Sequence, residues 1–471
     1  MSVQNSTFLR KVYNSSPPPL QSVAISVLGL NIRRNRYSDR FHEYTEKYRR
    51  HQWNGAEYWQ QYQLEKLTEI AKYAKRTTDH YHDIEIEPIQ SAETPREALK
   101  HLPYLEGETL RDEPNSLISS EVDTDNCISL STSGTTGTPK TTYHDDLSHI
   151  KYWSAMNRFW HWGGCRYGDR RASFTGNKIV PADQSGGPYG RYDRANNRLL
   201  LSSYHLGEET VDAYLDELEE FEPDFIDGYP SSIRFCAQRA IETDRDLAIP
   251  ACFPTAEMLR EEDREIIEEG LSTNVYNQYG STESAAIVTE CPSGHMHVNP
   301  EIGIIEVLDE NGETVSEGEV GEIVMTALNN RAMPLIRYRI GDMARGPPTY
   351  GKCDCGREMP IIEKIIGRQD EVVVTKDGRR VPMLSYNVFK YTENVSESRI
   401  VQESVDEFLL QIVPDDGYTD EQAEIAIKKL KDRVGEDIHV EIETLESIPR
   451  TDAGKFRAVI SDVENLSEVP Q

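Results

Sequence analysis

Long apolar runs are missing from this sequence. The most apolar early stretch, Leu20 to Ile32, is about 13 residues long, short of the roughly 20 that a membrane span requires. Pro17, Pro18 and Pro19 stand where a secretory signal would carry basic residues, so no targeting segment is expected. Arg33, Arg34 and Arg36 follow that stretch, yet the overall negative charge favours packing against the main domain over lying on a membrane. Cysteine is sparse: the 471 residues hold seven, an odd number, which argues against a secreted disulfide framework and makes a reducing cytoplasm the default. Basic residues are outnumbered, 51 Lys plus Arg against 81 Asp plus Glu, for a formal charge of -30 spread along the chain. Such a surface repels polyanions and argues against nucleic acid as the main partner. Hydrophobic residues reach only 37%, below the usual apolar share. Acid excess and low apolar content together suggest a surface suited to high salt, where like-charge repulsion is screened; the plain alternative is an acidic cytosolic enzyme. The 24 Tyr and 5 Trp still supply large side chains for burial, and the length suits two or three domains.

What is present is periodic. Leu64, Leu67, Ile70, Ala71 and Ala74 recur at three and four residues and predict a helix from Glu57 to about Tyr81. Cys127 to Leu130 reads as a short buried strand running into Ser131-Thr-Ser-Gly-Thr-Thr-Gly-Thr-Pro-Lys140. Beyond it strand-like and helix-like pieces alternate: 197–204, 209–221, 225–229, 231–241, 251–255, 258–269 and 275–279. That alternation predicts an α/β fold with a largely parallel sheet and helices on both faces. Ile304 to Leu308 and Glu322 to Thr326, with turns at Asn311-Gly312 and Glu317-Gly318, predict a hairpin-built β subdomain at about 300–350. After Gly367-Arg368-Gln369-Asp370 a new α+β unit is expected: strand 371–375, strand 398–413, helix 419–434 and strand 437–445. The expected domains are therefore 1–367, including a helical segment at 1–100, and a small lid at 368–471.

The Gly/Thr loop ending at Lys140 suits phosphate: glycines admit backbone N–H groups, hydroxyls donate and lysine adds charge. It lacks Walker spacing, and a loop of this composition taken alone is more often a plain turn. Its company is informative. Tyr279-Gly280-Ser281-Thr282-Glu283, Arg337-Tyr338-Arg339-Ile340-Gly341-Asp342, Gly367-Arg368-Gln369-Asp370 and Pro449-Arg450-Thr451-Asp452-Ala453-Gly454-Lys455 follow in order. On these five motifs, the chain resembles the adenylate-forming superfamily of acyl-CoA synthetases, luciferases and peptide-synthetase adenylation domains, over nearly its whole length. Ser202-Ser203-Tyr204-His205-Leu206, Gly228-Tyr229-Pro230-Ser231-Ser232, Met333 to Tyr338 and Cys353-Asp354-Cys355-Gly356-Arg357, with Arg36-Tyr37, narrow the resemblance to the phenylacetate-CoA ligase-like group. Within that group it resembles members described as capsular polysaccharide biosynthesis proteins.

The resemblance implies roles. Thr132, Ser133, Gly134, Thr135, Thr136, Gly137 and Lys140 would cradle the phosphates of ATP. Tyr279, with Gly280 and Thr282, would face adenine, and Glu283 would hold Mg2+, a hard cation suited to carboxylates. Asp342 and Arg368 would bind ribose, and Asp370 would be the hinge of the small domain. Arg380 lies where the family often keeps a basic residue facing phosphate. Lys455 would bridge the substrate carboxylate and the α-phosphate as negative charge builds up. Tyr204, His205 and Tyr229 would border the acyl pocket. Read as isolated residues, Tyr279 is equally a core aromatic, Glu283 a turn acid, Lys455 a solvated lysine and His205 a core histidine satisfied by a neighbour.

Cys291, Cys353 and Cys355 with one histidine form a set that suits tetrahedral zinc, three soft thiolates and an imidazole; unlinked core thiols are the plain alternative. The residues leave His295 and His297 both open, and the resemblance selects His297. The expected reaction is ATP-dependent formation of an acyl-adenylate and pyrophosphate from a carboxylic acid, then transfer to coenzyme A. Two alternatives stand beside it: an adenylyltransferase with a cofactor hydroxyl or carrier protein as acceptor, and a nucleotide-binding accessory protein of surface polysaccharide synthesis.

Overall fold

The computed structural model describes residues 7–131, 140–177, 179–181, 184–368, 373–376, 380–381, 388–389, 392, 394–415, 417–449, 456–461 and 463. The chain divides into two units, Met1–Ile340 with Arg345–Lys364, and Gly341–Ala344 with Ile365–Gln471. The division falls slightly ahead of the expected boundary at Gly367-Arg368, and the four residues Gly341–Ala344 are counted with the second unit.

The first unit begins with helices. Pro18–Arg36 carries the early apolar stretch, and it buries Gln21, Ile25 and Gly29. Gln21 Oε1 accepts from Arg191 Nε at 2.6 Å, and Ser26 Oγ donates to the Tyr192 carbonyl at 3.2 Å, so this helix packs on the main domain as its charge context predicts. No helix among the described residues is long and apolar enough to cross a membrane. Ala56–Thr77 follows the predicted periodicity and buries Leu67, Ile70, Ala71 and Ala74.

Strands β1 (Ile128–Ser131) and β2 (Thr141–His144) form an antiparallel ribbon, Ser131 opposite Thr141. The expectation of a buried strand here is corrected: among the described residues β1 is paired on one side, and it alternates half-buried with exposed positions. Strands β3 (Arg171–Thr175), β4 (Gly190–Asp193), β5 (Arg198–Ser202), β6 (Phe225–Gly228), β7 (Ala251–Pro254) and β8 (Asn274–Val275) build a six-stranded sheet in the order 4-5-3-6-7-8. All neighbours are parallel except β4 with β5. Alternation on β6 and β7 explains the layering. Ile226 and Cys252 face a core with Leu215, Ile233 and Cys236 from helices Val211–Phe221 and Pro230–Glu242. Phe225 and Phe253 face the other way, onto Phe159 and Trp160 of helix Asp146–Trp162. Each fully buried aromatic contributes roughly 1.5–3 kcal/mol, so the two-sided layering is strongly specified. The chain moves from β3 to β5 on one side of β3 and then to β6 on the other, so the strand order reverses at β3.

The single strand expected at 275–279 is two. Asn274–Val275 ends the large sheet, while β9 (Gln278–Gly280) pairs with β10 (Ile287–Glu290), which pairs with β11 (Met296–Val298). Ile361–Ile362 adds to β11. The β subdomain contains β12 (Gly303–Leu308) antiparallel to β13 (Val320–Ala327), followed by β14 (Tyr338–Arg345).

In the second unit, Val395–Gln402 is antiparallel to Glu407–Pro414 and parallel to Val459–Ser461, and Glu407–Pro414 is parallel to His439–Thr444. Helix Asp420–Val434 buries Ala426, Leu430 and Val434 with Ile400, Phe408, Leu410 and Ile412. The single strand expected at 398–413 is thus a hairpin. Its turn is polar: Ser404 Oγ donates to Asp406 and accepts from the Glu407 amide.

Candidate functional site

Lys140 lies immediately before β2, Glu283 in the loop joining β9 to β10, and Tyr338 at the start of β14. The fold brings the three into a line. Lys140 Nζ donates to the Tyr338 hydroxyl at 3.1 Å, and that hydroxyl donates to Glu283 Oε1 at 2.9 Å. Tyr338 is fully buried and Glu283 only 5% exposed. A carboxylate so removed from water needs charged or hydrogen-bonded company, which the phenol and ammonium supply. Gly107 backs the lysine: a Cβ there would stand 2.7 Å from Nζ, so any larger residue would displace it.

Tyr338 is held on both sides. Arg337 makes a two-pronged pair with Glu306 at 3.0 and 2.9 Å and stacks over Tyr104 at 4.0 Å. Backbone bonds from the Leu105 amide to the Arg337 carbonyl and from the Arg339 amide to the Leu105 carbonyl bracket the residue between them. Sequence reasoning quotes Tyr338 in a motif without giving it a role. The missing signal is three-dimensional, since its two partners lie 198 and 55 residues away. His144, at the end of β2, was missed as well. It bonds Thr142 Oγ1 at 3.0 Å and sits beside Asn330, and burial pulls it down to about 4 despite Asp145 and Glu283 nearby. The imidazole is therefore neutral.

Of the other expected ATP ligands, Tyr279 and Gly280 are on β9 and Thr282 is in the loop with Glu283. Asp342 lies on β14 and is 8% exposed. Arg368 closes strand Lys364–Arg368. Thr132, Ser133, Gly134, Thr135, Thr136, Gly137, Asp370 and Lys455 lie outside the described residues, and nothing is described of the Arg368 or Arg380 side chains.

Tyr204 and Tyr229 follow the carboxyl ends of β5 and β6, the two strands flanking β3. This is the edge where the strand order reverses, the position that opens a ligand crevice in open α/β sheets. His205 has a different place. Its Nδ1 faces Ser202 Oγ at 2.9 Å, its Nε2 faces the Pro181 carbonyl at 3.0 Å, and its ring lies on Tyr189. Both nitrogens are engaged by the protein, which matches the alternative reading of a histidine satisfied by its neighbours.

The second constellation also assembles. The ligand atoms of Cys291, His297, Cys353 and Cys355 all lie within 4.8 Å of one another. Cys291 and Cys353 sulfurs are 3.7 Å apart, and Cys355 Sγ is 3.5 Å from His297 Nε2. A tetrahedral zinc with Zn–S of about 2.3 Å and Zn–N of about 2.0 Å has S–S edges of about 3.8 Å and S–N edges of about 3.5 Å, so the edges fit. His297 Nδ1 is 3.1 Å from the Met359 carbonyl, which fixes the tautomer that leaves Nε2 as a ligand. Burial pulls His297 down to about 4, keeping it in the neutral, ligating form. His295 is exposed and stands outside the four-atom cluster, although its Nδ1 is 3.4 Å from Cys353 Sγ. Two glycines make the supporting turns: Gly294 at φ +79° donates to the Cys291 carbonyl, and Gly356 at φ +84° donates to that of Cys353.

The mostly parallel six-stranded sheet, the flanking β subdomain and the small α+β unit make this an adenylate-forming fold of the acyl-CoA ligase type. A solved 2-hydroxyisobutyryl-CoA ligase in the postadenylation state shares it, with a TM-score of 0.69, 20% identity, and coverage of 88% of this chain and 92% of that one. Residues 373–462 match the model of the CapK C-terminal domain. A protein named CapK from Staphylococcus aureus is 26% identical, over 97% of this chain and 100% of its own length. A phenylacetate-coenzyme A ligase from Thermus thermophilus is 26% identical over 52% of this chain and 61% of its own length. The chain is thus similar to CapK over nearly its whole length and to a phenylacetate-CoA ligase over about half of it, on the fold of the adenylate-forming ligases.

Proposed function

We propose that this protein is an ATP-dependent carboxylate-activating ligase that forms an acyl-adenylate and pyrophosphate and then passes the acyl group to coenzyme A. The observation that carries this reading is the Lys140–Tyr338–Glu283 line, buried at Tyr338 and Glu283, which mounts a cation and a carboxylate next to the two loops expected to face ATP. Lys140 offers positive charge to phosphate oxygens, where pyrophosphate must leave. Glu283, held by Tyr338, is placed to carry Mg2+, which would supply further charge neutralisation on the phosphates. Asp342 is the proposed acceptor for the ribose hydroxyls. The acyl group would lie at the switch point between Tyr204 and Tyr229, near the carboxyl ends of the central strands. Lys455 is proposed to add its ammonium at the attacking carboxylate and Asp370 to be the hinge residue. The Cys291, His297, Cys353 and Cys355 cluster is proposed to hold a structural zinc. Similarity to phenylacetate-CoA ligases favours coenzyme A as acceptor over a cofactor hydroxyl or carrier protein.

ATP–pyrophosphate exchange across a panel of carboxylic acids tests the reading. Acid-dependent exchange that Glu283→Gln lowers at least about a hundredfold is the expected result. Folded protein without exchange for any acid would favour the nucleotide-binding accessory reading instead.

A further inference from the structure

Three arginines meet at the opposite, amino-terminal edge of the large sheet. Arg171 and Arg198 open β3 and β5 and are paired positions in adjacent parallel strands, where like charges repel. Arg36 arrives from the last turn of helix Pro18–Arg36. The three share a cavity with Tyr37, Tyr167 and Phe225.

The charge there is unbalanced. Asp227 of β6 pairs with Arg171, bonding its Nε at 2.9 Å, and also takes the Ser173 hydroxyl. Arg198 donates through Nε to Ser173 Oγ at 2.7 Å. Arg36 sits over the Trp153 ring at 4.0 Å with Nε directed to His149 Nε2 at 3.2 Å. Among the described residues, neither Arg36 nor Arg198 has a carboxylate within 4.0 Å. Two further acids border the cavity: Asp169 pairs with Arg166, whereas Asp193, bonded to the neutral Ala195 amide and Asn196 Nδ2, keeps its charge, so three guanidiniums face the carboxylates of Asp227 and Asp193. Guanidinium does not shed its proton at neutral pH, so half-buried Arg36 and Arg198 leave standing positive charge at the cavity. Burial, with Arg171 and Arg36 nearby and against the pull of Asp227, brings Arg198 down to about 10.

We propose that this cavity binds a single small inorganic anion, chloride or an ion of its size, held by the free guanidinium nitrogens of Arg36 and Arg198. The enclosed space is of the size of a small ion. Bound there, the anion ties the end of helix Pro18–Arg36 to the central sheet. The protein would then respond to anion identity, which uniform screening of its surface does not.

Melting temperatures at constant ionic strength, with potassium glutamate replaced stepwise by potassium chloride, test this. The wild type is expected to gain on the order of 4 °C more from chloride than Arg198→Gln does, because an ion that binds only the folded state stabilises by mass action. Arg36→Gln, at a partly exposed helix end, should lose the same increment and serves if Arg198→Gln does not fold. Equal chloride dependence in wild type and Arg36→Gln would overturn the proposal. Crystals grown in bromide give a direct readout: an anomalous peak between Arg36 and Arg198 is expected, and peaks elsewhere with none in this cavity would also overturn it.

Discussion

Tyr338 has no charge of its own, yet it spaces a buried carboxylate from an ammonium and satisfies both. Tyr338→Phe keeps the ring and removes only the link. Hydrogen bonds to charged groups are worth about 1.5–3 kcal/mol, so pyrophosphate exchange should fall about 10- to 100-fold. Unchanged exchange in that variant would remove Tyr338 from the ATP site. His144 gives a second residue-scale expectation, in pH. Its folded value of about 4 lies below the ordinary 6.5, so the unfolded chain takes up the proton first as pH falls. Its contribution is complete above pH 6.5 and is lost progressively as pH falls to about 4. Denaturant unfolding of wild type and His144→Asn, at about pH 7.5 and about pH 4.5, should show the stability difference shifting by roughly 2–3 kcal/mol against the wild type in acid. His149 is pulled down in the same direction by burial and Arg36, so part of the acid sensitivity should remain in the variant.

At the scale of elements, the two glycine turns and the β10–β11 pair bring thiols and imidazole together from segments about sixty residues apart. Elemental analysis of protein purified without added metal should find one zinc per chain, and Cys353→Ser should remove it and lower the melting temperature, since binding free energy at a structural site is folding free energy. A metal-free wild type of unchanged stability would reduce the four residues to core groups. The same cluster shows what sequence can deliver. Cysteine identity and spacing pointed to the site, whereas His295 against His297 needed the backbone register, which puts His297 opposite Thr289 and faces its Nδ1 to Met359. Periodicity located helix Ala56–Thr77 and most of β5 to β7, because a half-buried helix or an interior strand imprints its period. It failed where the imprint is weak. Val395–Gln402 and Glu407–Pro414 continue one alternating pattern through a four-residue polar turn, and Arg171–Thr175, wholly buried, begins with an arginine that reads as surface. The Lys140–Tyr338–Glu283 line was legible as residue types and illegible as a contact, because each partner lies in a different loop or strand.

At the scale of the whole molecule, a formal charge of -30 sets a salt dependence. Raising KCl from about 50 mM to about 2 M should raise stability and activity, with the screening part saturating near 1 M, where the Debye length is about 3 Å. Equal stability at both concentrations would reject the high-salt reading. The two half-reactions supply another test at this scale. Lys455→Ala should lower adenylate formation by several orders of magnitude and affect thioester formation from supplied acyl-adenylate far less, if the lysine acts in one conformation only. Equal loss in both would refute the division of labour.

Strand Tyr338–Arg345 also bears on how this protein can be taken apart. It begins with the tyrosine that serves Glu283, and Gly341–Ala344, a few residues on, belong to the other unit. The modular border is therefore not a point on the chain. A gene cut after Lys364 would produce a first unit still carrying four residues of the second, and a second unit deprived of them. Exchange of the carboxy-terminal portion between relatives should succeed as a cassette only when the Gly341–Ala344 stretch travels with it, a constraint that recombination in nature would meet as well.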